Sequence, residues 1–183
     1  MANVKISDLT EDTTPASGDF LESFDISAST SKKISIDNLL KVLMSSTGAW
    51  TSFTPTWTNI TVGNGTSDCY YLKIGRLVFA RYKFIMGSTS AMGTDPRVDL
   101  PVAAAASFLS TSFRAPYSLN IEDSGTGTYF GFARHRATST GIELFVGNAA
   151  GTYFGASSIT STVPMTWTTN DSISFQIFYE SAS

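Results

Sequence analysis

Residues 76–86 sort two faces one residue at a time, with Val78, Ala80, Tyr82 and Phe84 on one side and Leu77, Phe79, Arg81, Lys83 and Ile85 on the other. A period of two is the period of a strand, and eleven residues of it commit this stretch to a β-sheet with one face on a core. The second face begins apolar and turns basic, which predicts a strand running from a covered region toward an edge or a subunit boundary. The same alternation returns at Ile173, Phe175, Ile177 and Tyr179. Between these two strands the signals are short strands and turns. Residues 53–60 lead through Gly63-Asn64-Gly65, a strong turn signal, into a strand over 68–74. Asp99-Leu100-Pro101 ends a short strand, residues 108–119 make another broken by Pro116, and residues 128–136 with 142–146 predict a hairpin. Roughly eight short strands with Gly and Pro turns read as an all-β fold, a jelly-roll-like β-sandwich over residues 49–183.

The first 48 residues read differently. They carry seven acids (Asp8, Glu11, Asp12, Asp19, Glu22, Asp25, Asp37) against four lysines (Lys5, Lys32, Lys33, Lys41), whereas the rest of the chain balances eight against eight. The whole net charge of −3 therefore belongs to this small, thinly apolar module. Val4 and Ile6 alternate with Lys5 and Ser7 as in an extended arm, residues 19–26 predict a strand, and residues 33–36 follow a polar turn. The period then changes: Ile36, Leu39, Leu40 and Leu43 fall at i, i+3, i+4 and i+7, one face of a short helix with Ser35 or Asp37 as its cap. About ten residues of helix are marginal alone in water, so this face must dock, and three copies meeting on it would form a trimerisation bundle. Leu39→Asp with Leu43→Asp would then release monomers. Ser45-Ser46-Thr47-Gly48 forms the hinge, dividing the chain into residues 1–48, an attachment and trimerisation module, and residues 49–183, a β domain.

Charge also limits function. An acidic chain, with pI near 5.0, lacks the clustered Lys and Arg with which proteins displace counterions from nucleic acid. Ser and Thr make up about a quarter of the residues and charged ones 15%, giving a polar, weakly charged surface. No stretch of about 18 apolar residues predicts membrane insertion, and the N-terminus lacks a signal-peptide pattern, so synthesis in the cytoplasm is expected. With Cys69 as the single cysteine there is no intrachain disulfide framework, and the residue reads as a small apolar group beside Tyr70 and Tyr71.

Candidate chemistry is sparse. His135 is the single histidine and lies between Arg134 and Arg136, so no His-based metal cluster or catalytic triad forms around it, and it reads as a surface or interface residue. The acid pairs Asp95/Asp99 and Glu122/Asp123 sit in no glycosidase or calcium motif and read as solvated turn acids. Gly125-Thr126-Gly127 and the glycines at 147 and 151 precede no amphipathic helix, so they read as hairpin turns and not as phosphate cradles. Neither a catalytic group nor a cofactor or metal is expected. The aromatics Trp50, Trp57, Tyr70, Tyr71, Tyr129, Tyr153 and Trp167 remain open between core or subunit interface and a sugar-stacking surface.

Two stretches carry a resemblance. Lys5-Ile6-Ser7-Asp8-Leu9, the Thr-Pro-Ala-Ser-Gly-Asp turn over 14–19 and the Lys-Lys-Ile-Ser-Ile-Asp-Asn-Leu-Leu stretch over 32–40 resemble an N-terminal module of tailed-bacteriophage fibre and head-surface proteins. Residues 50–101, with Phe53-Thr54-Pro55-Thr56, Gly63-Asn64-Gly65-Thr66, Ile74-Gly75-Arg76-Leu77-Val78 and Leu100-Pro101, are similar to a β-sandwich of phage surface proteins. The resemblance implies a non-enzymatic homotrimer on the virion, attached to capsid or tail proteins through residues 1–48. It leaves two stations: a head fibre or capsid decoration, or a short tail-fibre or tail-tip protein that binds host-surface glycan. The absence of a long coiled-coil or collagen-like shaft favours a short projection.

Overall fold

The computed structural model describes residues 20–25, 30–36, 50–106, 116–136 and 141–182. Contacts along the chain divide it into two units, Met1–Gly48 and Ala49–Ser183. In the first, β1 (Phe20–Asp25) and β2 (Thr30–Ser35) form an antiparallel pair with Phe20 opposite Ser35 and Asp25 opposite Thr30. Ile36 follows β2 directly and is half-buried. Leu39, Leu40 and Leu43, with the helix expected to carry them, lie outside the described residues.

The second unit is all-β, built from one curled antiparallel sheet. In chain order its strands are β3 (Thr51–Ser52), β4 (Trp57–Thr61), β5 (Thr66–Ser67), β6 (Tyr70–Ile74), β7 (Leu77–Ile85), β8 (Ala91–Asp99), β9 (Pro116–Asp123), β10 (Gly127–His135), β11 (Gly141–Asn148), β12 (Gly155–Ser158) and β13 (Ser172–Glu180). In space the order is β3-β6-β7-β13-β9-β10-β11-β8-β4, with β12 added to β11 and β5 to β7. The curl follows from that order. β4 pairs with β8 at one end of the sheet, yet the turn after it delivers β5 onto β7 near the other end.

Specific bonds hold the turn in place. Gly63 adopts φ +55°, a left-handed conformation that glycine takes without steric cost. Next to it the Asn64 side chain clasps the β7–β8 turn: its Oδ1 accepts from the Thr89 amide at 2.9 Å, and its Nδ2 donates to Ser88 Oγ at 3.0 Å. Across the fold Trp57 of β4 packs on Phe84 of β7 with ring centroids 5.3 Å apart, and its indole N–H donates to Ser67 Oγ at 3.0 Å.

Alternation decides which residues fill the interior. β7 contributes Val78, Ala80, Tyr82 and Phe84, β13 contributes Ile173, Phe175, Ile177 and Tyr179, and β9 contributes Tyr117, Leu119 and Ile121, all buried in one cluster. Tyr82 stacks on Phe175 at 4.6 Å and donates its hydroxyl hydrogen bond to the Asp99 carbonyl at 3.1 Å, which satisfies the polar end of a buried ring. At the floor of the sheet Asp171 is fully buried, and its carboxylate accepts from the amides of Ser124 and Thr168. A buried polar group needs such partners.

Two expectations need adjustment, and a third falls partly outside the described residues: Pro116 opens β9, where a missing N–H costs a strand least, and residues 107–115 before it are not described. The strand ending at Asp99 is nine residues long, not short, since Gly93 and the positive φ of Asp95 interrupt the alternation without ending the pairing. β7 lies inside the sheet between β6 and β13, so of the two readings of its basic end, a sheet edge or a subunit boundary, the sheet edge does not apply.

Gly131 marks the tightest strand contact. A Cβ there would stand 2.1 Å from the Phe145 carbonyl oxygen, so any side chain must push β10 off β11. Gly131→Ala is expected to cost about 1–3 kcal/mol of stability, the usual price of overpacking, read as a lower urea midpoint. An unchanged midpoint would show that the two strands separate freely here.

Candidate functional site

Two outer faces of the sheet carry large apolar side chains exposed to water. The first lies across β6, β7 and β13. Register places Ile74 opposite Leu77, Leu72 opposite Phe79, and Phe79 opposite Phe178. Ile74 is 50% exposed, Phe178 57%, Leu77 42% and Phe79 38%, although the inner face of β7 is already fully covered. The Phe79 and Phe178 rings lie 6.4 Å apart and wall a groove of about 640 Å³ that Trp50, Pro116 and Gln176 complete. Arg81, next on the outer row of β7, is sandwiched at 5.0 Å from Trp50 and 4.4 Å from Tyr70, an arrangement that gives the cation π-faces and holds both rings. Arg76 and Glu180 pair at 3.0 Å on the rim.

The second face lies on β10 and β11. Because Gly131 and Ala133 turn inward, Phe130, Phe132 and Arg134 stand outward. Phe154 folds over Gly147, whose missing side chain makes room for the ring, and meets Phe132 edge-on at 5.9 Å. Phe130 is 72% exposed and Phe154 61%. Beside them Arg134 lies 4.3 Å above the Phe145 ring and donates from Nε to Glu143 at 3.3 Å, while Arg136 Nε donates to the other carboxylate oxygen at 3.2 Å. Arg97 of β8 is paired in register with Glu143. Asp95, Arg97, Arg134, Glu143, Phe145 and Ser158 together line a polar hollow of about 280 Å³.

The residues singled out from sequence scatter. His135 is not at the surface: it is 2% exposed, between the rings of Tyr117 at 5.8 Å and Tyr179 at 5.4 Å. The strand alternation that turns Gly131 and Ala133 inward carries His135 with them, and the flanking arginines point the other way. Burial lowers its pKa from the model-peptide value of 6.5 to about 4. The folded chain therefore keeps His135 neutral where the unfolded chain takes up a proton. Stability is fully retained above pH 6.5 and falls as pH drops from 6.5 toward 4, by about 3 kcal/mol in total. The difference between the native protein and His135→Gln, followed by urea unfolding from pH 7.5 to 4.5, is expected to isolate that slope. Parallel curves would rule it out.

Cys69 is buried, and burial raises its thiol pKa. Asp95 and Asp99 lie along β8, where Asp95 faces the polar hollow, and Glu122 accepts from Ser172 Oγ at 3.4 Å. Among the described residues no three His, Cys, Asp or Glu side chains gather to hold a metal ion, and no helix is long and apolar enough to cross a membrane. Gly125 and Gly127 flank the β9–β10 turn, closed by the Thr126 amide on the Asp123 carbonyl at 2.9 Å.

Of the seven aromatics, Trp57 is buried and Tyr70, Tyr71, Tyr129 and Trp167 are half-buried, leaving Trp50 and Tyr153 exposed, at 46% and 86%. Beside Tyr153, the most exposed rings are the phenylalanines Phe130, Phe154 and Phe178. Their signal was phase: Phe130 and Phe132 alternate with Gly131 and Ala133. Comparison of the chain with protein-family models, with curated proteins and with solved structures returns no match.

Proposed function

We propose that this chain is a non-enzymatic structural protein of a bacteriophage virion, a homotrimeric head fibre or capsid decoration. Residues 1–48 attach it to the particle and to sister subunits, and residues 49–183 project outward as a jelly-roll-like sandwich. The observation that carries the trimer is the β6-β7-β13 outer face. The first half of β7 is apolar on both faces, which favours cover on both, and fully covering side chains such as Leu77, Phe79 and Phe178 stabilises by roughly 1.5–3 kcal/mol each. Neighbouring copies supply that cover. The phage assignment is supported by the resemblance of residues 1–45 and 50–101 to virion surface proteins, and the non-enzymatic one by the scatter of the candidate acids, His135 and Cys69.

A second station, the short tail-fibre or tail-tip protein that binds host-surface glycan, is favoured by a separate observation, the exposed Phe154 ring held edge-on by Phe132, with exposed Phe130 on the same outer row. Mass-spectrometric counting of the chain in purified particles separates the stations. Many copies per particle are expected of a decoration and few of a tail tip, whereas absence from the particle would overturn both.

A further inference from the structure

We infer that the contact between copies is heterologous: the groove on the β6-β7-β13 face of one copy receives the Phe130 and Phe154 rings on the β10-β11 face of the next. The inference rests on the trimer proposed above and names the surface that meets the first face.

Symmetry sets the requirement. A twofold contact lays one patch against itself, whereas a closed threefold ring needs two different patches on every copy. Among the described residues the strongly exposed large apolar side chains supply two. Trp50, Ile74, Leu77, Phe79 and Phe178 belong to the first face, and Phe130 and Phe154, with Tyr153 adjoining, to the second. β9 alone separates them, since it pairs with β13 on one side and β10 on the other. Its outward Ser118 and Asn120 keep the two faces distinct.

Shape assigns the roles. The first face holds the groove of about 640 Å³ between Phe79 and Phe178, whereas the hollow beside the second is lined by charged Asp95, Arg97, Arg134 and Glu143. What the second face offers is projecting rings, since Phe130 and Phe154 are both mostly exposed. Groove against groove would trap water, and ring tips against ring tips would leave their sides wet. A ring seated in a groove covers both partners, as the close fit of interface cores demands. Phe154 is already fixed, lying in the space left by Gly147 and edge-on to Phe132 at 5.9 Å, so docking costs it little side-chain freedom. Several charges around the contact are also committed within their own copy: Glu143 to Arg134 and Arg136, Arg76 to Glu180, and Arg81 to the rings of Trp50 and Tyr70. Seated in a neighbour, the Phe130 and Phe154 rings are not free for a glycan, so this contact favours the decoration station.

The test pairs two full-length variants, one for each face. Phe130→Asp with Phe154→Asp is expected to raise the dissociation constant of the trimer about a hundredfold and give folded monomers, read by light scattering and circular dichroism. Phe130→Asp alone, at a ring that touches its own chain least, is expected to raise it about tenfold and serves if the double variant fails to fold. The second variant, Leu77→Asp with Phe178→Asp, keeps the β10-β11 face and loses the groove face. Mixed in equal amounts, each variant retains the face that the other lacks. One intact contact then forms and neither spoiled face extends it, so the expected product is a heterodimer of twice the 19.6 kDa chain mass. A second-face variant that keeps the native mass, one that pairs with itself through its intact groove face, or a mixture holding monomers alone would overturn the contact. The mass of the unmodified chain reports separately on the trimer, so a native trimer with any of these outcomes removes this contact and leaves that reading standing.

Discussion

Phe84→Ala is expected to lower the unfolding free energy of the β unit by about 3–5 kcal/mol, the range for emptying a fully buried phenylalanine site. Phe84 has no exposed surface and joins two parts of the curled sheet, since its ring packs on Trp57 of β4 while its strand pairs with β5 and β13. Neither neighbour can move in to refill the space. Trp57 is tied by its indole to Ser67, and Tyr82 is held by Phe175 and the Asp99 carbonyl. Equilibrium unfolding in urea checks the figure, and a loss below about 1 kcal/mol would show that the sheet does not close through this contact.

Leu77→Asp combined with Phe178→Asp is expected to dissociate the trimer while leaving each subunit folded. Each substitution removes an apolar side chain from the outer face and places a carboxylate where a neighbouring copy would desolvate it. The lost burial alone is roughly 3 kcal/mol or more per subunit, at least a hundredfold in the dissociation constant. The inner face of the sheet is untouched, because Val78, Ile177 and Tyr179 on the same strands point the other way. Size-exclusion with light scattering reads the assembly and circular dichroism reads the fold. A folded variant with native mass would move the interface elsewhere.

The parts of the fold legible in the sequence are those whose geometry is local. β7 and β13 announce themselves because Val78 through Phe84 and Ile173 through Tyr179 alternate without interruption, and the alternation is what the interior selects. The β10–β11 hairpin and the Gly63-Asn64-Gly65 turn are local in the same sense. The length of β8 is hidden in the sequence because Gly93, Asp95 and Pro96 break its alternation, and its pairing with β4 and β11 depends on strands far away in sequence. His135 was misplaced for a related reason. Two neighbouring arginines suggest a wet surface, but in a strand the neighbours face away, and phase with Ala133 is the better guide.

The candidate surfaces were less legible than the core. Arg97 and Glu143 meet only because β8 lies beside β11, a neighbour relation that no spacing in the chain encodes. Likewise the apolar outer row of β7 was visible as a pattern, but its neighbours Ile74 and Phe178 become part of the same face only once the sheet order is known. Phe154 finds its place through a glycine seven residues earlier, a packing relation and not a motif.

Three copies of this chain covering the β6-β7-β13 face would sediment at equilibrium as a single species of three times the 19.6 kDa chain mass, whereas a stable, folded 19.6 kDa monomer across the concentration range would rule the trimer out.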